Sequence, residues 1–297
     1  EAMLLKATWP DDEQVPSEVL NEIIKHSIPA FKYGKTSADD DPYHMTMHKL
    51  WTKMCESDWR TVTKSIFILH CISRDCSVDS CRRFVAAIKA MSKVRNPKNP
   101  THKYFDGRMV SGELDENSRA YKKFIAAYWA YVLHRSKSFS SKFDELKDLS
   151  SATAETKALA VLKKARVSVE KALECKIGVG LDKATSRKMC NYITGQACRH
   201  ICADVRDLWK QFTPKLEMLA KGEFDSSKGN ADKEEVLALL QFFAGLKDEA
   251  TSYLQWAQSS FQPRRVKISA ELDANVDMAD LQSYLEKFDS GGSDNEG

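Results

Sequence analysis

Apolar residues along this chain recur at spacings of three and four. Strict alternation is almost absent, so the pattern predicts helix after helix. Pro16 suits a first helical position, and Val19, Leu20, Ile23 and Ile24 form a buried stripe behind it. "IPAFKYGKTSADDD" reads as a loop, after which Asp41 and Pro42 start a helix with Met47, Leu50, Trp51 and Met54 inward. In "DWRTVTKSIFILHCIS", residues 58–73, Asp58 is placed to cap a third helix whose Trp59, Val62, Ile66 and Leu69 share a face. Arg60 and Lys64 lie one turn apart on its least apolar strip. A fourth helix, capped by Ser77, turns Phe84, Val85, Ile88 and Met91 inward, and "RNPKNPTHKYFDGRMVSGELD" reads as a connection whose prolines forbid a helix.

A fifth helix, about 117–137, is expected to bury Tyr121, Phe124, Ile125, Tyr128 and Val132. A loose stretch follows to about 153, then a helix at 154–176 and one long helix at about 183–220 with Pro214 as a potential kink. Asp232 and Glu235 make a capping-box-like start for a helix ending near Phe261. An extended "RRVKISAEL", a short amphipathic segment (Met278, Leu281, Tyr284, Leu285) and a Gly/Ser/acidic tail complete the chain. Successive antiparallel helices of this kind make an all-α solenoid or bundle.

Composition agrees: 42% of the 297 residues are hydrophobic, enough for a real core, while 12 glycines and 8 prolines are few for a sandwich or barrel. No apolar run reaches membrane-spanning length, and the opening residues lack the basic-then-apolar pattern expected of a secretion signal. The eight cysteines contain no Cys-x-x-Cys pair and are read as reduced and mostly buried. Cys190, Cys198, His200 and Cys202 do not converge on one ion from a single helix, because 198 and 202 share a face and 200 points away. His44 and His48 share a face, but Met45 and Met47 stand where a metalloprotease helix has its Glu-x-x. No metal, cofactor or catalytic motif is expected, and the chain is read as a non-enzyme.

Charge is segregated. Residues 1–50 carry 5 Lys+Arg against 9 Asp+Glu, residues 51–200 carry 29 against 15, and residues 201–297 carry 11 against 18. The basic middle suits anionic partners, whereas nucleic acid is not expected in the absence of aromatic-interleaved basic runs or a zinc finger.

"LLKAT", "EVLNEIIKHS", "MHKLWTKM" and "DWRTVTKSIFILHCISRD" together resemble the ENTH/ANTH superfamily of clathrin adaptor N-terminal domains. "ENSRAYKKFIAAYWAYVLHRSKSF", the helix at 233–261 and "DMADLQSYLEKF" resemble its longer ANTH branch. The resemblance implies a right-handed superhelical solenoid of antiparallel helices extended by a C-terminal bundle of long helices. It would occupy a single domain over 1–287, with an ENTH-like part at 1–150, a helical extension at 151–287 and a disordered linker or tail start at 288–297.

The implied function is that of a peripheral adaptor for clathrin-mediated endocytosis. It would be cytoplasmic, at the plasma membrane and on clathrin-coated pits and vesicles. It would bind phosphoinositides such as phosphatidylinositol 4,5-bisphosphate, recruit clathrin and adaptor proteins through a tail outside this chain, and in some members grip a SNARE helix.

Lys6 matches the family's lipid-binding lysine in the opening segment. The Lys-rich cluster expected at the first helix is replaced by Pro16, Ser17, Glu18 and Val19 after "DDE", an acidic surround that repels phosphate. Arg60 and Lys64 match cations of the ENTH branch, and Lys32 and Lys35 can add to a reduced site. The bland alternative is that Arg60 and Lys64 merely balance Asp58 or Glu56. A second expected surface is a partner-helix groove with Phe242, Leu246, Tyr253 and Trp256, which the segment 278–287 could itself occupy. The alternative function is a lipid-independent, protein-binding scaffold of the same fold.

Overall fold

The computed structural model describes residues 2–26, 42–75, 78–96, 99–112 and 114–272. The expected loop at 28–41, the Ser77 cap, the short segment at 278–287 and the tail at 288–297 lie wholly or mainly outside those residues. The fold is all-α, with twelve α-helices and one two-stranded hairpin among the described residues.

Helices α1 (Ala2–Ala7), α2 (Ser17–His26) and α3 (Pro42–Met54) lead to α4 (Trp59–Asp75) and α5 (Val78–Met91). Helix α4 is the axis of this part and packs against α2, α3, α5, α7 (Lys122–Ser138) and α11 (Tyr192–Ala220). Every residue from Thr61 to Arg74 is therefore buried, the polar ones included. Asp58 caps it as its sequence position suggests, accepting from the amides of Arg60 at 2.8 Å and Thr61 at 3.4 Å.

Three stretches differ from the sequence expectation. The proline-rich connection holds an antiparallel hairpin, β1 (Arg95–Asn96) and β2 (Asn99–Lys103), followed by α6 (Gly107–Gly112). Both strands of a lone hairpin are edges, where Pro100 is tolerated, and Asp106 starts α6 by accepting from the Arg108 amide at 3.1 Å. The loose stretch after α7 contains a single turn, α8 (Asp144–Lys147).

The long helix expected at 183–220 is two helices, α10 (Lys183–Met189) and α11. Asn191 adopts an extended backbone and forms a capping box with Thr194: each side chain accepts from the other's amide at 3.1 Å. Pro214 lies inside α11.

The core has two parts. One gathers the side chains of α1 to α7 with the amino-terminal half of α11 and the carboxy-terminal half of α12 (Lys233–Phe261). The other gathers α8, α9 (Glu155–Leu173) and the remaining halves of α11 and α12. Leu173 and Leu272 pack against both.

Six described cysteines are free, but Cys81 is disulfide-bonded, which corrects the reading of all cysteines as reduced. None of the helices among the described residues is long and apolar enough to cross a membrane.

Candidate functional site

The residues singled out in sequence fall on two surfaces. At the amino-terminal surface, the acidic loop after α1 folds back over α4 and meets the two cations. Lys64 is 2% exposed. Its Nζ donates to the carbonyls of Trp9 at 2.8 Å and Asp11 at 3.1 Å, and to Asp11 Oδ1 at 2.5 Å. That hydrogen bond is the main reason the Asp11 carboxyl is held below its ordinary range.

Arg60 is bound to Asp58 through Nη2 at 2.6 Å and reaches Asp12 through Nη1 at 3.4 Å. The hydrogen bond it donates to Asp58 raises the Arg60 guanidinium further above its already high range. The partner is Asp58, one of the two balancing groups considered from sequence; the other, Glu56, pairs with Lys53 at 2.6 Å. Two of the proposed phosphate-binding cations are thus already neutralised inside the protein.

Lys6 is exposed and makes no ion pair with a described residue. Leu5 beside it is 40% exposed and Trp9 is 64% exposed. Lys32 and Lys35 lie outside the described residues.

The same loop is pinned to the rest of the molecule by Gln196 of α11. Its side-chain amide accepts from the Val15 amide and donates to the Val15 carbonyl, both at 3.0 Å. Sequence reading had no way to pair residues 181 positions apart. The acidic run "DDE" was legible as a repulsive element, but its role as the ligand of Lys64 was not.

The second surface lies between α9 and α12. Phe242 and Leu246 line a cleft of about 580 Å³ together with Leu173 and the carboxylate residues Glu170, Glu174, Asp248 and Glu249. The Arg166 guanidinium covers the Phe242 ring at 4.2 Å and binds Glu170 at 3.2 Å. Tyr253 and Trp256 do not line this cleft. Tyr253 is fully buried, with its hydroxyl directed at the Cys175 carbonyl at 3.4 Å, and Trp256 rests against it, with ring centroids 5.4 Å apart. A turn-by-turn spacing places all four residues on one helix, but only Phe242 and buried Leu246 line the cleft.

Two further clusters were not visible in sequence. The first is a buried charged node centred on Asp204 of α11. Its Oδ2 accepts from Arg135 Nε at 2.6 Å, from the Tyr131 hydroxyl at 2.6 Å and from His70 Nε2 at 2.8 Å, and Arg74 binds its Oδ1. Burial by itself would raise the Asp204 carboxyl, but the neighbouring cations, Arg135 first, hold it well below its ordinary range. Burial keeps His70 neutral, and its Nδ1 accepts from the Tyr128 hydroxyl at 3.1 Å. The His70–Asp204 pair has the reach of an acid–base dyad, yet both side chains are fully enclosed and meet no solvent. The pair therefore joins α4 to α11 rather than presenting a base to a substrate.

The second cluster brings Cys71, Asp75 and His200 ligand atoms within 4.8 Å of one another. Burial pushes the Cys71 thiol well up, and Arg74 lies 3.5 Å from Asp75. Burial first, then His70 and Arg74, bring His200 down to about 3. Burial leads both shifts; Asp75 adds to that of Cys71, and only His200 is pushed further by neighbouring cations.

No family model and no curated protein sequence matches the chain.

Proposed function

We propose that this chain is a non-catalytic adaptor domain of vesicle traffic that captures an amphipathic, basic-flanked segment of a partner protein in the α9–α12 cleft. The observation that carries the reading is the cleft's composition: apolar Leu173, Phe242 and Leu246 among four carboxylates, of which Glu170 alone is paired, with Arg166, and Lys176 as the one lining cation. Such a site is complementary to a helix whose apolar stripe is flanked by Lys or Arg. The sequence resemblance to clathrin adaptor domains supports the trafficking context and a SNARE-like helix as the partner. Clathrin and adaptor recruitment at coated pits would then fall to a tail outside this chain.

The test is fluorescence polarisation with two labelled helical peptides that share an apolar face and differ in Lys or Glu flanks. The Lys-flanked peptide should bind and the Glu-flanked one should not. Phe242→Asp should lower affinity by about tenfold or more, as expected for removing a buried aromatic anchor. Absence of binding by a folded wild type, or equal binding of the two peptides, refutes the reading.

A second reading, direct contact with a phosphoinositide membrane, is favoured by the exposed Leu5, Lys6 and Trp9 of the amino-terminal segment. Arg60 and Lys64 support it little, because Asp58, Asp12 and Asp11 occupy them. Co-sedimentation with vesicles containing phosphatidylinositol 4,5-bisphosphate, lost in Lys6→Glu, would mark this route.

A further inference from the structure

A second cleft, of about 270 Å³, lies where α4 and α11 meet the extended segment after α12. Its walls are cationic: Arg74, Arg199, Arg206 and Lys267, with His200 and Ser269 between them. Arg199 and Arg206 are seven residues apart on α11, two turns along one face. The segment bearing Lys267 and Ser269 is held against α12, where Gln258 Nε2 donates to the Ile268 carbonyl at 3.2 Å.

These cations are not equivalent. Arg74 is committed to Asp204, to Asp207 at 2.9 Å and to Asp75 at 3.5 Å, so its charge is already offset by three carboxylates. Arg199, Arg206 and Lys267 form no ion pair with any described residue. The Nε of Arg206 is buried and has no hydrogen-bond partner. A guanidinium N–H taken out of water without an acceptor is costly, and a native fold rarely leaves one so. An acceptor-rich anion in the cleft would offset the repulsion among the three cations, and a turn of the Arg206 side chain toward it would give the Nε an acceptor. A metal ion drawn by the adjoining Cys71, Asp75 and His200 would add to that repulsion instead.

We propose that this cleft is an anion site for a compact phosphate group, held by Arg199, Arg206 and Lys267 with the Ser269 hydroxyl as a neutral donor. Arg supplies the planar donor fork that matches phosphate oxygens, and Lys a mobile charge. The Ser269 oxygen already accepts from the Glu271 amide at 3.4 Å, which leaves its hydrogen to donate. The site shares no residue with the α9–α12 cleft or with Lys6, so it stands or falls independently of the proposed function.

Isothermal titration of the full chain with inorganic phosphate and with inositol hexakisphosphate tests it. Wild type should bind saturably, more weakly as salt is raised. Arg199→Glu, at an exposed position, and Arg206→Ala should each weaken binding by about tenfold, the loss of a charge-assisted hydrogen bond. Lys157→Glu, at an exposed position of α9 that lines neither cleft, should leave it unchanged.

Phosphatidylcholine vesicles with and without phosphatidylinositol 4,5-bisphosphate separate the sources. Pelleting lost in Arg199→Glu but kept in Lys6→Glu assigns a lipid headgroup. Soluble binding without pelleting assigns a free phosphate compound. No saturable binding by folded wild type, or equal affinity in wild type and Arg199→Glu, overturns the proposal.

Discussion

Asp204 carries more of the buried charge than any other carboxylate described above. It has two guanidiniums, a phenol and an imidazole on its two oxygens, all supplied by α4 and α7. A buried node of this kind is held together by mutual satisfaction, and removing one partner strands the others. Asp204→Asn keeps the shape but removes the charge that offsets Arg74 and Arg135. It is expected to cost about 3–5 kcal/mol, read as a lower urea midpoint with an unchanged slope. A loss below about 1 kcal/mol would show that the node is not a stabilising unit. Lys64 makes the complementary point: a lysine on a helix normally reaches solvent, but here its ammonium has three oxygen partners within 3.1 Å.

Helix boundaries are decided by short polar signals that apolar periodicity does not register. The stripe from Met189 through Leu216 continues across the Cys190–Asn191 break, so the pattern merges two helices into one. Asn191 and Thr194 carried the boundary in sequence as Asn-x-x-Thr, and the structure uses them as reciprocal caps. Asn191→Ala should therefore destabilise by about 1 kcal/mol, measured by thermal or urea unfolding, and Asn191→Asp should retain most of the stability. The break matters for packing as well. It lets α11 begin where the segment after α12 crosses it, and a Cβ on Gly195 would meet Val266 Cγ2 at 2.9 Å. That close approach holds the wall of the cationic cleft against α11.

Across the whole molecule, buried His70 and half-buried His200 give stability a pH dependence. Unfolded His200 takes a proton near its ordinary value of 6.5, whereas the folded residue does so only near 3, and His70 is lowered in the same direction by burial. The unfolded chain thus binds more protons than the folded one below about pH 6.5, and stability falls as pH is lowered from there. Each histidine contributes at most about 1.4 kcal/mol per pH unit. Urea unfolding at pH 7 and pH 5 should show the decline, and His200→Leu should reduce its slope without abolishing it, because His70 remains. An equal slope in wild type and His200→Leu would contradict the shift.

The sequence by itself determined the all-α class, the placement of α2, α3, α4, α7, α9 and α12, and the cap at Asp58. All of these follow from apolar spacing and local capping chemistry within a few residues. It also exposed the acidic character of the loop before α2. Tertiary structure decided what those charges do. Only folding brings Asp11 to Lys64, Gln196 to Val15 and Asp204 to His70, contacts spanning from 53 to 181 residues. Likewise, only the packing of α9 against α12 separates half-buried Phe242, which lines the cleft above buried Leu246, from Tyr253, which lines none of it. Helical spacing fixes which residues share a face, but the neighbours on that face are chosen by chain segments too distant in sequence for any local pattern to encode.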